Sequence, residues 1–140
     1  ELINHYLQRT SNEMGLMISQ TLSVTATPVT FKTIIDGGVG VYSDIHKAYL
    51  SQLAEACHRK GIKFFAQLGY PSVGYNNNDS ITELTETDIE NIKTEFVRAA
   101  KICKQAGCDG VELHGANGFF LNMFACPLSN KRIDQYGGGY

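Results

Sequence analysis

Apolar residues recur along this chain in two alternating rhythms. Over residues 2–14, Leu2, Ile3, Tyr6, Leu7 and Met14 fall near helical spacing, and Gly15 followed by Leu16, Met17 and Ile18 marks a stop and then a strand near 15–19. The layout returns over 44–60. There Ile45, Tyr49, Leu53, Ala54 and Cys57 make one apolar face, Ser43 or Asp44 supplies a cap, Gly61 the stop, and the run IKFFAQL over 62–68 reads as strand. A third copy covers 86–106, with Ile89, Ile92, Phe96, Ala99, Cys103 and Ala106 as its stripe. Thr85 with Asp88 resembles a capping box, Gly107 ends the helix, and residues 110–113 form the next strand. Gly15, Gly61 and Gly107 recur at 46-residue intervals, and glycine suits the left-handed residue that closes a helix.

A series of strands separated by helices implies parallel pairing with crossover helices, an α/β chain. The helix-to-strand connections are tight. The strand-to-helix connections are long, running over 20–42, over 69–84, and from His114 onward. Long connections usually carry function, and all of these lie at the C-terminal ends of the strands. That asymmetry fits the active face of a (β/α)8 barrel and also the ligand edge of a doubly wound sheet. No GxGxxG follows the first strand and no GxxxxGK[ST] occurs, so nucleotide binding of the Rossmann or P-loop kind is unsupported. Gly37–Gly40 reads as plain loop, and Tyr75–Asp79 as an exposed loop tip.

Composition narrows the partners. A net charge of −2 on 19% charged residues gives no electrostatic reason to expect nucleic acid or a membrane surface. No run of about 18 apolar residues could span a bilayer. The first 15 residues lack the apolar core and small-residue site of a secretory signal, and the cysteines give no sign of an oxidising compartment, so a cytoplasmic location is expected. Cys57, Cys103, Cys108 and Cys126 match no zinc spacing and read as reduced thiols. The histidines His5, His46, His58 and His114 form no paired metal motif.

Three segments carry chemistry. In the run DGVELHGANGFFL, His114 closes the third strand and Asn117 follows three residues later. Imidazole and carboxamide are both hydrogen-bond donors, and two donors converging on a carbonyl oxygen stabilise negative charge developing there. The alternative is that His114 satisfies a buried backbone group and Asn117 makes a turn. Gln67, near the end of the middle strand, needs an amide partner, either a flat heterocycle with paired donors and acceptors or a neighbouring backbone. Arg132 and Asp134 lie close in a polar segment that reads as a surface loop with a local ion pair.

With these residues in hand, the stretch HGANGFFLNMFACPLSNKRIDQYGG over 114–138 resembles the Old Yellow Enzyme family of FMN-dependent ene-reductases. FFAQL resembles that family's glutamine strand, GLMISQT the strand before it, and VYSDIHKAYLSQLAEACHRKGIK the connecting helix. The resemblance implies a (β/α)8 TIM barrel with FMN at its C-terminal mouth, of which this chain would supply about three of eight β/α units. It implies that Gln67 bonds the flavin pyrimidine edge and that Thr21 lies against the isoalloxazine. His114 and Asn117 would bind the carbonyl of an electron-poor alkene, with NAD(P)H as co-substrate and hydride passing through the flavin to a small-molecule acceptor such as an enone or quinone. Two positions depart from the pattern. Phe119 stands where the family carries its proton-donating tyrosine, and Gly69–Tyr70–Pro71–Ser72–Val73 replaces the usual run after the glutamine strand. Protonation would then come from water, Tyr70 or Tyr75. The departures leave room for a non-catalytic flavin-binding relative or an inactive truncated fragment as alternatives.

The length fits this reading. The chain has 140 residues, 43% of them hydrophobic, enough for one ordinary domain, whereas a closed barrel takes about 250. The expectation is therefore an incomplete barrel domain over 1–140.

Overall fold

The computed structural model describes residues 2–10, 13–26, 39–71 and 81–138. Its elements run α1 (Leu2–Leu7), β1 (Leu16–Ser23), α2 (Lys47–His58), β2 (Lys63–Gly69), α3 (Glu86–Gln105), β3 (Gly110–Leu113) and α4 (Phe120–Ala125). The strands form one parallel sheet in the order β1-β2-β3. This is an α/β repeat of three parallel strands, each joined to the next by a helix, as the barrel reading expects. The tip at Tyr75–Asp79 and residues Gly37 and Gly38 lie outside the described residues.

The core sits between the sheet and the helices. Phe64, Ala66 and Leu68 alternate along β2 and are fully buried against Leu50, Leu53, Ala54 and Cys57 of α2 and Ile92, Ala99 and Cys103 of α3. Period-two burial on the strand meets period-3.6 burial on both helices, which is what fixes the strand's face. The opposite face of the sheet carries Ile18, Thr21, Phe65, Gln67 and Glu112, and no described element covers it.

Both long helices end alike. At α2, Gly61 N–H bonds the His58 carbonyl (2.9 Å) and Ile62 N–H the Cys57 carbonyl (3.1 Å). At α3, Gly107 bonds Lys104 (3.2 Å) and Cys108 bonds Cys103 (3.1 Å). Gly61 (φ 73°) and Gly107 (φ 86°) hold the left-handed position of this Schellman closure. The 46-residue interval between them is thus a structural repeat. The third glycine differs. The helix expected over 2–14 is confined to Leu2–Leu7, and Gly15 is not in the left-handed region. Side chains stop α1 early: Thr10 Oγ1 donates to the Leu7 carbonyl (2.7 Å) and Arg9 to that of His5 (2.7 Å).

The first strand is longer than the 15–19 expected, and it is bulged. Ile18 pairs with Phe65 but Thr21 pairs with Gln67, so β1 spends one more residue than β2 over this stretch. The extra residue would strand backbone donors, and side chains collect them. Gln20 N–H donates to the Tyr6 hydroxyl (2.6 Å), and Gln67 N–H donates to Ser19 Oγ (3.0 Å). The bulge decides which face Thr21 occupies. Without it, the residue beside Gln67 would be Gln20.

The α3 N-terminus is closed as its sequence suggests. Thr85 Oγ1 accepts from Asp88 N–H (3.1 Å) and the Asp88 carboxylate accepts from Thr85 N–H (2.9 Å).

The segment after β3 is not the simple surface loop its polarity implies. It contains α4, and Arg132 is only 8% exposed. The Arg132 guanidinium donates to the carbonyls of Ile81 (2.6 Å) and Leu84 (2.7 Å) and forms a two-pronged pair with Asp134. Burial of the charge is tolerated because each face of the guanidinium fork has an acceptor.

Candidate active site

The uncovered face of the sheet presents its polar residues in rows. Thr21, Gln67 and Glu112 are direct neighbours across β1, β2 and β3. Their side chains are linked: Thr21 Oγ1 donates to Gln67 Oε1, and Gln67 Nε2 donates to a Glu112 carboxylate oxygen. One step toward the strand C-termini, Ser23 pairs with Gly69, and the His114 N–H donates to the Leu68 carbonyl (2.8 Å). The shape of Gly69 matters here. A Cβ at that position would lie 2.4 Å from Thr21 Cγ2 and 3.6 Å from His114 Cβ, so only glycine leaves Thr21 and His114 on either side of a bare stretch of backbone.

Above Gly69 lies a concavity of about 180 Å3. Thr21, Ser23 and Gly69 form its floor, and Tyr70, Pro71, His114 and Phe119 its wall. It is smaller than the roughly 300 Å3 at which pockets begin to enclose whole ligands. It suits one reacting group of a ligand whose remainder lies over the sheet. Neither imidazole nitrogen of His114 is hydrogen-bonded to a described residue, so the ring is available to a ligand. Phe119 meets that ring edge-on at 4.8 Å and 83°, which holds its orientation. Tyr70 is buried and packs against Phe120 at 4.7 Å.

The expected site residues therefore divide. Thr21 and Gln67 are joined, and His114 shares a cavity with Thr21. Asn117 stands apart: it is exposed, holds φ at 57°, and does not line the concavity. Asparagine is among the few residues that tolerate the left-handed region, and the turn it makes with Gly118 aims the chain into α4. The turn is closed by Phe119 N–H donating to the Ala116 carbonyl (3.1 Å), and Gly118 N–H ties it to α4 by donating to Asn122 Oδ1 (2.9 Å). Glu112 was not singled out by its sequence context. The signal was present as an acid inside an otherwise apolar strand, at the register position opposite Gln67. Among the described residues no three His, Cys, Asp or Glu gather as a metal site, and all four cysteines are free thiols.

Residues 70–140 match the model of the NADH:flavin oxidoreductase / NADH oxidase family. The chain belongs to that family. Within it, the chain is 32% identical to an NADPH dehydrogenase of Clostridium acetobutylicum, over 96% of this chain and 43% of the relative. It is also 32% identical to an NADH oxidase of Thermoanaerobacter brockii, over 99% of this chain and 24% of the relative. In three dimensions it is similar to the crystal structure of Old Yellow Enzyme from Pichia sp., with a TM-score of 0.81 and 27% identity, covering 98% of this chain and 42% of that one. The chain thus spans less than half the length of the family members it matches.

Proposed function

We propose that this chain provides the flavin-contacting strands and the carbonyl pocket of an FMN-dependent oxidoreductase. It would carry hydride from NAD(P)H to an electron-poor small molecule such as an α,β-unsaturated carbonyl or a quinone. The observation that carries the reading is the Thr21–Gln67–Glu112 row. After its two internal bonds, the Gln67 carboxamide keeps one N–H and one oxygen lone pair. A flavin pyrimidine edge carries an imide N–H between carbonyl oxygens, which is the complement of that pair. The residues present therefore fit the cofactor. FMN, when bound, supplies the two-electron relay between donor and acceptor.

The chain's own residues do the rest. Gln67 and Thr21 hold the polar edge of the ring on the sheet face. His114 donates to the acceptor's carbonyl oxygen and stabilises the negative charge that grows there. Asn117 is the second donor of this proposal, and a ligand bridging the two residues would draw its side chain in from solvent. Phe119 excludes water from one wall and supplies no proton. Tyr70 also lines the concavity and is the proposed proton source, with Tyr75 or water as the alternatives.

Phe119 also favours a second reading, a relative that binds flavin and carbonyl ligands without reducing alkenes at a useful rate. Equilibrium titration of the purified protein with FMN, followed by quenching of flavin fluorescence, tests what the two readings share. Saturable quenching that is weakened by Gln67→Ala supports them. Absence of quenching, or quenching indifferent to Gln67→Ala, removes both.

A further inference from the structure

Glu112 ends the row on which the functional reading rests, yet that reading gives it no task of its own, and its surroundings are unusual. Its side chain is half-buried on the uncovered face of the sheet. No Lys, Arg or His among the described residues pairs with it, and its hydrogen-bond partner is Gln67 Nε2. A partly buried carboxylate without a counter-charge costs folding free energy, so a purely structural position would be served better by an apolar residue. Among the described residues, its side chain's one polar contact is with Gln67, which the proposed function places against a ligand.

The chemistry of the row explains what that contact does. A carboxamide is nearly symmetric in shape, and its two ends differ only in whether they donate or accept. Thr21 cannot tell the ends apart, because a hydroxyl rotates to donate to oxygen or accept from nitrogen. Glu112 can. An ionised carboxylate only accepts, so it attracts the NH2 end and repels the oxygen end. Register makes the contact unavoidable, since Gln67 and Glu112 are direct partners on adjacent parallel strands with side chains on the same face. With Nε2 turned to β3, Oε1 must turn to β1, where Thr21 donates to it.

We infer that Glu112 is a positioning residue that sets the flip of the Gln67 carboxamide, so that Gln67 offers its remaining N–H on the β3 side and its remaining lone pair on the β1 side. A planar heterocycle with a donor–acceptor edge then fits in one orientation only. The inference rests on the proposed function for the identity of that heterocycle, but not for the link between the two side chains.

The test has two arms. The first uses the protein without flavin and reads the side-chain NH2 resonances of Gln67 by NMR. One of the two protons is expected downfield and slowed in exchange with water. Glu112→Ala and the isosteric Glu112→Gln should return it toward the position of a solvent-exposed glutamine. Gln67 resonances unchanged by both substitutions would overturn the inference. The second arm measures FMN dissociation constants across a double-mutant cycle. Glu112→Gln should weaken FMN about tenfold when Gln67 is present, and by no measurable factor in a Gln67→Ala background. The absorption maximum of the bound flavin should shift only in the first case. Equal weakening in both backgrounds would mean that Glu112 supports the fold and not Gln67, against the inference. If the NMR shift is found but no FMN binds, the Glu112–Gln67 link stands and the flavin reading fails.

Discussion

Asp109 and Phe64 bond each other twice. Asp109 N–H donates to the Phe64 carbonyl, and Phe64 N–H donates to the Asp109 carboxylate, both at 2.9 Å. The exchange stitches the entry of β3 to the entry of β2, at the end of the sheet away from the candidate site. The same carboxylate takes Lys63 Nζ at 2.8 Å and lies 2.6 Å from His58 Nε2 at the end of α2. One side chain thereby ties two strands and a helix.

This clasp makes stability depend on acid. The Lys63 ammonium first, then the Phe64 N–H, then His58, hold the Asp109 carboxyl well below its ordinary value. The folded form therefore binds its proton only at lower pH than the unfolded form does. The contribution is complete above the usual aspartate range, near pH 4, and is lost as pH falls through the folded value. Asp109→Asn should cost about 2 kcal/mol at neutral pH by urea unfolding, and the gap to the parent should shrink below about pH 4. A gap constant with pH would show that the charge of Asp109 is not what matters.

Arg132 should be the most sensitive position of the C-terminal segment. Arg132→Ala leaves the Ile81 and Leu84 carbonyls and the Asp134 carboxylate without their donor, and should cost about 3–5 kcal/mol. Arg132→Lys should recover less than half of that, because an ammonium cannot reach both carbonyls and a carboxylate with the geometry of a planar fork. Denaturant midpoints of the three proteins give the answer. Equal midpoints for the lysine variant and the parent would contradict the assigned role.

Much of this was legible in the sequence, for reasons that particular residues make plain. The apolar stripe of α3 and its Thr85–Asp88 cap are local, so spacing alone placed that helix to within a residue. Gly61 and Gly107 were readable because a left-handed closure after a helix leaves few residue choices. Gly15 misled because the end of α1 is set by Thr10 and Arg9, whose capping bonds leave no periodic trace. The bulge in β1 was invisible since it depends on Tyr6 and Ser19 receiving stranded donors from elsewhere in the chain. The burial of Arg132 is hidden from its local sequence for a similar reason. Its acceptors lie some 50 residues away, and a local ion pair with Asp134 explained its sequence equally well. In the candidate site, Gln67 and His114 stood out as polar residues at strand ends. Glu112 gained meaning only from the register that sets it beside Gln67.

Tyr70 should separate two half-reactions. If its phenol protonates the reduced acceptor, Tyr70→Phe lowers enone reduction by about 10²–10⁴-fold while leaving flavin reduction by NAD(P)H and turnover with quinones near the parent's rate. Stopped-flow measurement of each half-reaction distinguishes the outcomes. Undiminished enone reduction removes Tyr70 as the source, and the same result with Tyr75→Phe added assigns the proton to water.

The sheet face around Gln67 and His114 is proposed to serve hydride transfer through a flavin. The most direct measurement is the visible absorbance of the FMN-loaded protein on anaerobic addition of NADPH or NADH. The yellow flavin band should bleach, and should return when an electron-poor enone or a quinone is supplied. A flavin band that persists in excess of both nicotinamides would contradict that role, and would leave a protein that binds the cofactor without using it.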